Sequence, residues 1–162
     1  MITSRHNLTY KISKYLDRLL RPFANEKIKS VTFDDEIDFI QKLNHYTHTG
    51  HRLISTTMFC TMKISNYSTL DSHENMIDVV CCFLQDHLAS NRLQKIAITT
   101  IKNLLQLCLY NNLFCYKDKI YSCTKGGPTT LPLTNTLSDI YSFVWQKKIV
   151  SEIEQKHELF GR

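Results

Sequence analysis

Apolar residues at Ile12, Tyr15, Leu16, Leu19, Leu20 and Phe23 recur at three- and four-residue intervals, the stripe of an amphipathic helix. The Arg21-Pro22 pair is expected to stop that helix, because proline lacks a donor and restricts the residue before it. A second, shorter helix is expected through "FDDEIDFIQKLNHY", capped by Thr32, with Asp34, Asp35 and Glu36 at its positive N-terminal end. That placement gives the acidic cluster a structural role rather than a catalytic one. In "MFCTMKIS" the period drops to two, with Met58, Cys60, Met62 and Ile64 on one face and Phe59, Thr61, Lys63 and Ser65 on the other. This alternation predicts a strand.

Asp71 and Glu74 have the spacing of a capping box, and Met76, Val80, Phe83, Leu84 and Leu88 follow at helical spacing. Leu93, Ile96, Ala97, Ile101, Leu104, Leu105 and Cys108 mark a fourth, strongly apolar helix that ends near Asn111-Asn112. "LFCYKDKIYSC" places two aromatic and β-branched runs around Lys117-Asp118-Lys119, a hairpin pattern. The polar stretch "TKGGPTT" comes next, and Leu133, Leu137, Ile140, Tyr141, Val144 and Ile149 then define a last long helix with Lys147, Lys148 and Lys156 on its polar side. Few strands among many helices predict an α+β fold, with helices packed on one face of a small antiparallel sheet. No interdomain linker interrupts residues 1–162, so one domain is expected.

Composition changes this picture little. The 162 residues are 43% hydrophobic and 22% charged, ordinary for a globular chain able to bury a core. A formal charge of +5 suits a polyanionic partner, although mildly basic surfaces are common in proteins that bind none. "MITSRHNLTY" carries no secretory signal, and no apolar run reaches the ~20 residues of a membrane span. The chain is therefore expected off the membrane, in the nucleus or cytoplasm, with its six cysteines reduced and buried. Those cysteines lack CxxC spacing, and His73 and His87 have no second ligand pair, so no metal site is expected. His45, His48 and His51 in "HYTHTGH" read as a polar loop ahead of the strand.

The order of parts resembles the reverse-transcriptase domain of Penelope-like retroelements over nearly the whole chain. "TYKISKYLDRLLRPF" is similar to the Ile-Ser-Lys-Tyr-Leu-Asp helix of that family's fingers, and "TMKISNYST" resembles its palm strand, usually Ser-Phe-Asp-Val-x-Ser-Leu-Tyr-Thr. "DSHENMI" parallels the segment that opens the next helix. The hairpin keeps Phe114, Tyr116 and Tyr121 of the family pattern, with Cys123 where glutamine is usual. Of the Gly-x-x-Met-Gly-Ser-Pro-Leu-Ser-Pro-x-Leu-Ala-x-Ile-Tyr signature the chain keeps Gly126, Pro132, Leu133, Leu137, Ile140 and Tyr141.

The resemblance implies fingers-like helices over residues 1–56 and a palm-like strand, helices, hairpin and following helix over 57–162. It also implies that the Gly-Gly-Pro turn supports template base and incoming nucleotide, with Tyr121, Lys125, Gly126, Gly127 and Pro128 as the nucleotide- or nucleic-acid-binding residues. Outside the resemblance, such a turn before a helix is ordinary punctuation. Thr129, Thr130 and Leu131 depart from the signature, and β-branched Thr130 crowds a position suited to glycine.

The family activity is RNA-directed DNA synthesis, which needs two Mg²⁺ ions held by carboxylates. The first family ligand falls at Lys63, where a cation would repel Mg²⁺. The Tyr-x-Asp-Asp hairpin that would follow "HELFGR" and the basic strand that would precede the first helix are not in this sequence. The expectation is thus a truncated, degenerate domain with no catalytic residues and no cofactor of its own. An RNA/DNA primer-template is the expected partner, through Lys117, Lys119, Lys125, Lys147 and Lys148 with Tyr116 and Tyr121. Read without the resemblance, these are a solvated face and ordinary hairpin packing. Self-association or a protein partner is the other expectation, through an uncovered sheet edge.

Overall fold

The computed structural model describes residues 8–50, 53–117, 119–129 and 131–162, without the side chains of Leu8, Thr49, Gly50, Phe114, Cys115 and Tyr116. His51, Asp118 and Thr130 therefore lie outside the described residues. Among the described residues five α-helices carry the structure: α1 (Leu8–Ile28), α2 (Glu36–Gly50), α3 (His73–His87), α4 (Ile98–Tyr110) and α5 (Pro132–Gln155). Two small antiparallel hairpins accompany them, β1 (Arg92–Leu93) with β2 (Ile96–Ala97), and β3 (Leu113–Tyr116) with β4 (Lys119–Ser122). The α+β description holds in this coarse, helix-rich form.

The core is helix on helix rather than helix on sheet. α1 packs on α4 and α5, and α3 packs on the same two. Leu16, Leu20, Val80, Leu84, Ile101, Leu105 and Ile140 are wholly buried between them. Phe83 stands edge-on to Phe23 and Phe143 at ring distances of 5.8 and 5.9 Å, a favoured aromatic geometry. α5 is central, and its buried positions spread around the helix: Leu133, Thr134, Thr136, Leu137, Ser138 and Ile140 near its start, Ser142, Gln146 and Val150 beyond.

Several local expectations are corrected. Pro22 lies inside α1, which continues to Ile28. Ala24 and Ile28 extend the buried stripe past the proline, and that burial offsets the hydrogen bond its ring forfeits. Tyr15 is half exposed and lies off the stripe. Thr32 closes the preceding 3-10 turn, its Oγ1 donating to Ile28 O at 3.0 Å, while Asp35 caps α2 by accepting from Asp38 N at 2.8 Å. α2 runs on through His45 and His48, so these two are helical rather than loop. Ser72, not Asp71, caps α3, accepting from Asn75 N at 3.3 Å. α4 begins only at Ile98, because Gln94 and Lys95 adopt positive φ (46° and 76°) and turn Leu93 back against Ile96.

The largest correction is the strand. Met58–Ser65 contains no strand, and none of its residues makes a hydrogen bond among the described residues. Met58, Phe59 and Met62 are 91%, 70% and 67% exposed. Period-two alternation fits a segment for pairing, but a ladder needs a partner edge, and no described strand runs beside this one. The thiols also divide differently from expectation: Cys81 and Cys108 are buried, whereas Cys60 and Cys82 are exposed. Burial pushes the Cys108 thiol up to about 11.

A polar seam locks α1 to the start of α5. Ser13 and Asp17 are buried one turn apart on α1, and Leu131 brings no capping side chain to α5. Ser13 Oγ accepts from Leu133 N at 3.2 Å, and Thr136 Oγ1 donates to Asp17 Oδ1 at 2.6 Å. Arg21 donates to Asp17 through Nε and Nη2 (3.0 and 2.8 Å), and Nη2 also reaches Pro132 O at 3.3 Å. Through Ser13, α1 thus satisfies one amide that the first turn of α5 leaves open.

Candidate functional site: the β3–β4 hairpin and the Gly-Gly-Pro turn

The hairpin leaves α4 at the buried Asn112 and returns to it, with Cys123 N donating to Asn112 O at 3.4 Å. Its register pairs Leu113 with Ser122, Phe114 with Tyr121, and Tyr116 with Lys119. β4 is exposed along its full length. Lys119 and Tyr121 therefore stand in solvent on the same strand.

The chain then folds back under the start of α3. Gly126 N donates to Asp71 O and Gly127 N to Ser68 O, each at 3.0 Å, and Lys125 forms an antiparallel bridge with Ser72. His73 is buried and its Nε2–H donates to Gly126 O at 2.8 Å, with Tyr110 edge-on to the imidazole at 5.5 Å. A carbonyl can only accept, which fixes the proton on Nε2. Thr134 Oγ1 and Leu131 N both donate to Pro128 O at 2.9 Å, tying the far side of the turn to α5.

Glycine is required here on two counts. Gly126 has φ of +55°, and a Cβ on it would lie 2.0 Å from Ser68 O. A Cβ on Gly127 would lie 2.6 Å from Thr134 Oγ1. The close backbone approach that glycine permits is spent on the 68–71 segment of the same chain, and both glycines are buried. Their amides point at protein carbonyls.

Two carboxylates hold the 67–71 segment in place. Asp71 Oδ2 accepts from Tyr141 OH at 2.6 Å and from Asn75 Nδ2, while Oδ1 accepts from Ser72 N at 2.7 Å. The Tyr141 hydroxyl, then the Asn75 amide and the Ser72 N–H, hold the Asp71 carboxyl below the usual carboxylate range. The same hydrogen bond pushes Tyr141 up. Asp139 Oδ1 accepts from Tyr67 OH and from Arg162 Nη2, each at 2.6 Å. Burial, then the bond to Asp139, pushes Tyr67 up.

Of the residues singled out in the sequence, Lys125, Gly126, Gly127 and Pro128 share one turn, with Lys125 exposed and Pro128 half-buried. Tyr121 stands on the adjoining strand. Lys147 and Lys148 are elsewhere, about 20 Å of helix axis beyond Thr134, which anchors the turn. Lys147 lies 3.8 Å from Asp86. Lys63 lies in the exposed 58–65 segment. No cluster of three or more His, Cys, Asp or Glu suited to a metal occurs among the described residues. His73, Asp71 and Tyr141 are the framework residues that sequence reasoning did not assign to the turn. Only Asp71, just ahead of α3, carried a hint, as a capping residue; Tyr141 reads as one more position of the last helix's apolar stripe.

The molecule is thus a helical bundle carrying an exposed basic hairpin and a buried glycine turn. No helix is long and apolar enough to cross a membrane among the described residues. Comparison with protein-family models, curated proteins and solved structures finds no match.

Proposed function

We propose that the chain is a reverse-transcriptase-like domain, encoded by or descended from a Penelope-like element, that engages nucleic acid without polymerising it. The observation that carries the reading is the flank of the hairpin and turn, where Lys119, Tyr121 and Lys125 are exposed on one short run of chain. Neither Lys119 nor Lys125 forms an ion pair among the described residues, although the Lys125 charge helps to lower the neighbouring Asp71 carboxyl, and both ammonium groups can reach phosphates while the Tyr121 ring can stack. The sequence order of hairpin, glycine turn and helix supports the family reading. Lys63 at the palm-strand aspartate position supports the absence of polymerisation, since Mg²⁺ needs oxygen ligands there.

Fluorescence anisotropy with a labelled RNA–DNA primer-template, titrated over salt, tests it. The expected result is binding whose log K falls linearly with log salt. Lys125→Gln should lower that slope by about 1, and Tyr121→Ala should weaken binding by about 1–3 kcal/mol. Primer extension with Mg²⁺ or Mn²⁺ should stay at background. A folded chain that ignores primer-template at low salt sinks the nucleic-acid reading, and measurable extension sinks the non-catalytic one.

A further inference from the structure

We propose that Met58–Ser65 is a self-recognition strand through which two copies of this chain pair antiparallel about a two-fold axis at Thr61. The segment has unpaired backbone donors and acceptors and side chains turned to solvent from Met58 to Ser65. Such a run is a template for strand addition, and sequence decides which strand fits it.

A second copy fits in one register. With Thr61 opposite Thr61, Cys60 of one copy faces Met62 of the other, and Met58 faces Ile64. The period-two alternation puts these four side chains from each copy on one side, a continuous apolar face. On the other side the pairs are Phe59 with Lys63, Thr61 with Thr61, and Lys63 with Phe59. The only charged residue of the segment is thus set across from an aromatic ring, twice. A parallel, in-register pair would instead set Lys63 directly against Lys63, which is destabilising. The antiparallel contact is isologous and joins two copies through one edge of each strand, the outer edge staying open. This interface is separate from the β3–β4 hairpin and does not depend on nucleic-acid binding. A single strand pair is smaller than a standard interface, so association is expected to be weak, with Kd on the order of 100 µM.

Sedimentation velocity of the full chain over about 10–500 µM reads the equilibrium on both sides of that constant. Thr61→Lys and Thr61→Glu each put two like charges face to face on the axis, at a side chain that is exposed and makes no hydrogen bond among the described residues. Each variant alone should dimerise about fivefold more weakly than wild type or worse. Mixed in equal amounts they should recover association at or above the wild-type level, because the ammonium introduced in one copy then meets the carboxylate introduced in the other. Three results overturn the proposal: a wild type that stays monomeric throughout, single variants that associate like wild type, and a mixture that fails to recover.

Discussion

At the scale of single residues, the Gly-Gly-Pro turn separates two uses of glycine that sequence alone leaves indistinguishable. Gly126 needs a left-handed φ and a missing Cβ together, because Ser68 O and the Thr69 backbone stand where the methyl would go. These obstacles are backbone, so nothing nearby rotates away. Gly127 faces only the Thr134 hydroxyl, the end of a side chain that can swing aside at the cost of one hydrogen bond to Pro128 O. Gly126→Ala should therefore cost about 2 kcal/mol or more, and Gly127→Ala about 1 kcal/mol. Urea unfolding of the two variants checks the ranking. Equal losses would mean that the turn does not bear on the 68–71 segment as described.

At the scale of elements, α1 shows both what a hydrophobic pattern carries and what it omits. Its stripe is legible through Phe23, and the Arg21-Pro22 pair predicts an end there. The buried Ala24 and Ile28 continue the helix, since tertiary burial outweighs a local signal when apolar residues persist on the same face. The proline nevertheless removes one backbone bond. Pro22 is exposed, so Pro22→Ala restores a donor without opening a cavity and should raise stability by about 1–3 kcal/mol. Thermal melts measure this directly, and an unchanged or lower midpoint would show that the helix is strained or frayed beyond Arg21 for another reason. The hairpin, α3 and α5 are equally legible, because each is set by spacing within its own segment. The state of Met58–Ser65 is not, because pairing depends on an edge that lies elsewhere in space. Ser13, Asp17 and Thr136 are illegible for the same reason: their bonds join residues far apart in the sequence.

At the scale of the whole molecule, stability should be graded from the bundle outward. α1, α3, α4 and α5 share one buried cluster, so their amides open only when the core does. The β3–β4 hairpin has its ladder bonds but a fully exposed second strand, so it is expected to open locally at lower free energy. The amides of Met58–Ser65 have no acceptor among the described residues. Native-state hydrogen exchange on a dilute sample should therefore give three levels: global protection in Leu16–Leu20, Val80–Leu84 and Ile101–Leu105, intermediate protection in β3 and β4, and near-intrinsic exchange from Met58 to Ser65. Raising the protein concentration should slow only every second amide of the last group, those on the edge facing the partner copy, because strand pairing between copies is the one process that gives them acceptors in proportion to concentration. Slow exchange there at every concentration would instead mean that the segment is covered from within the same chain, and the exposed run would lose its role as a partner edge.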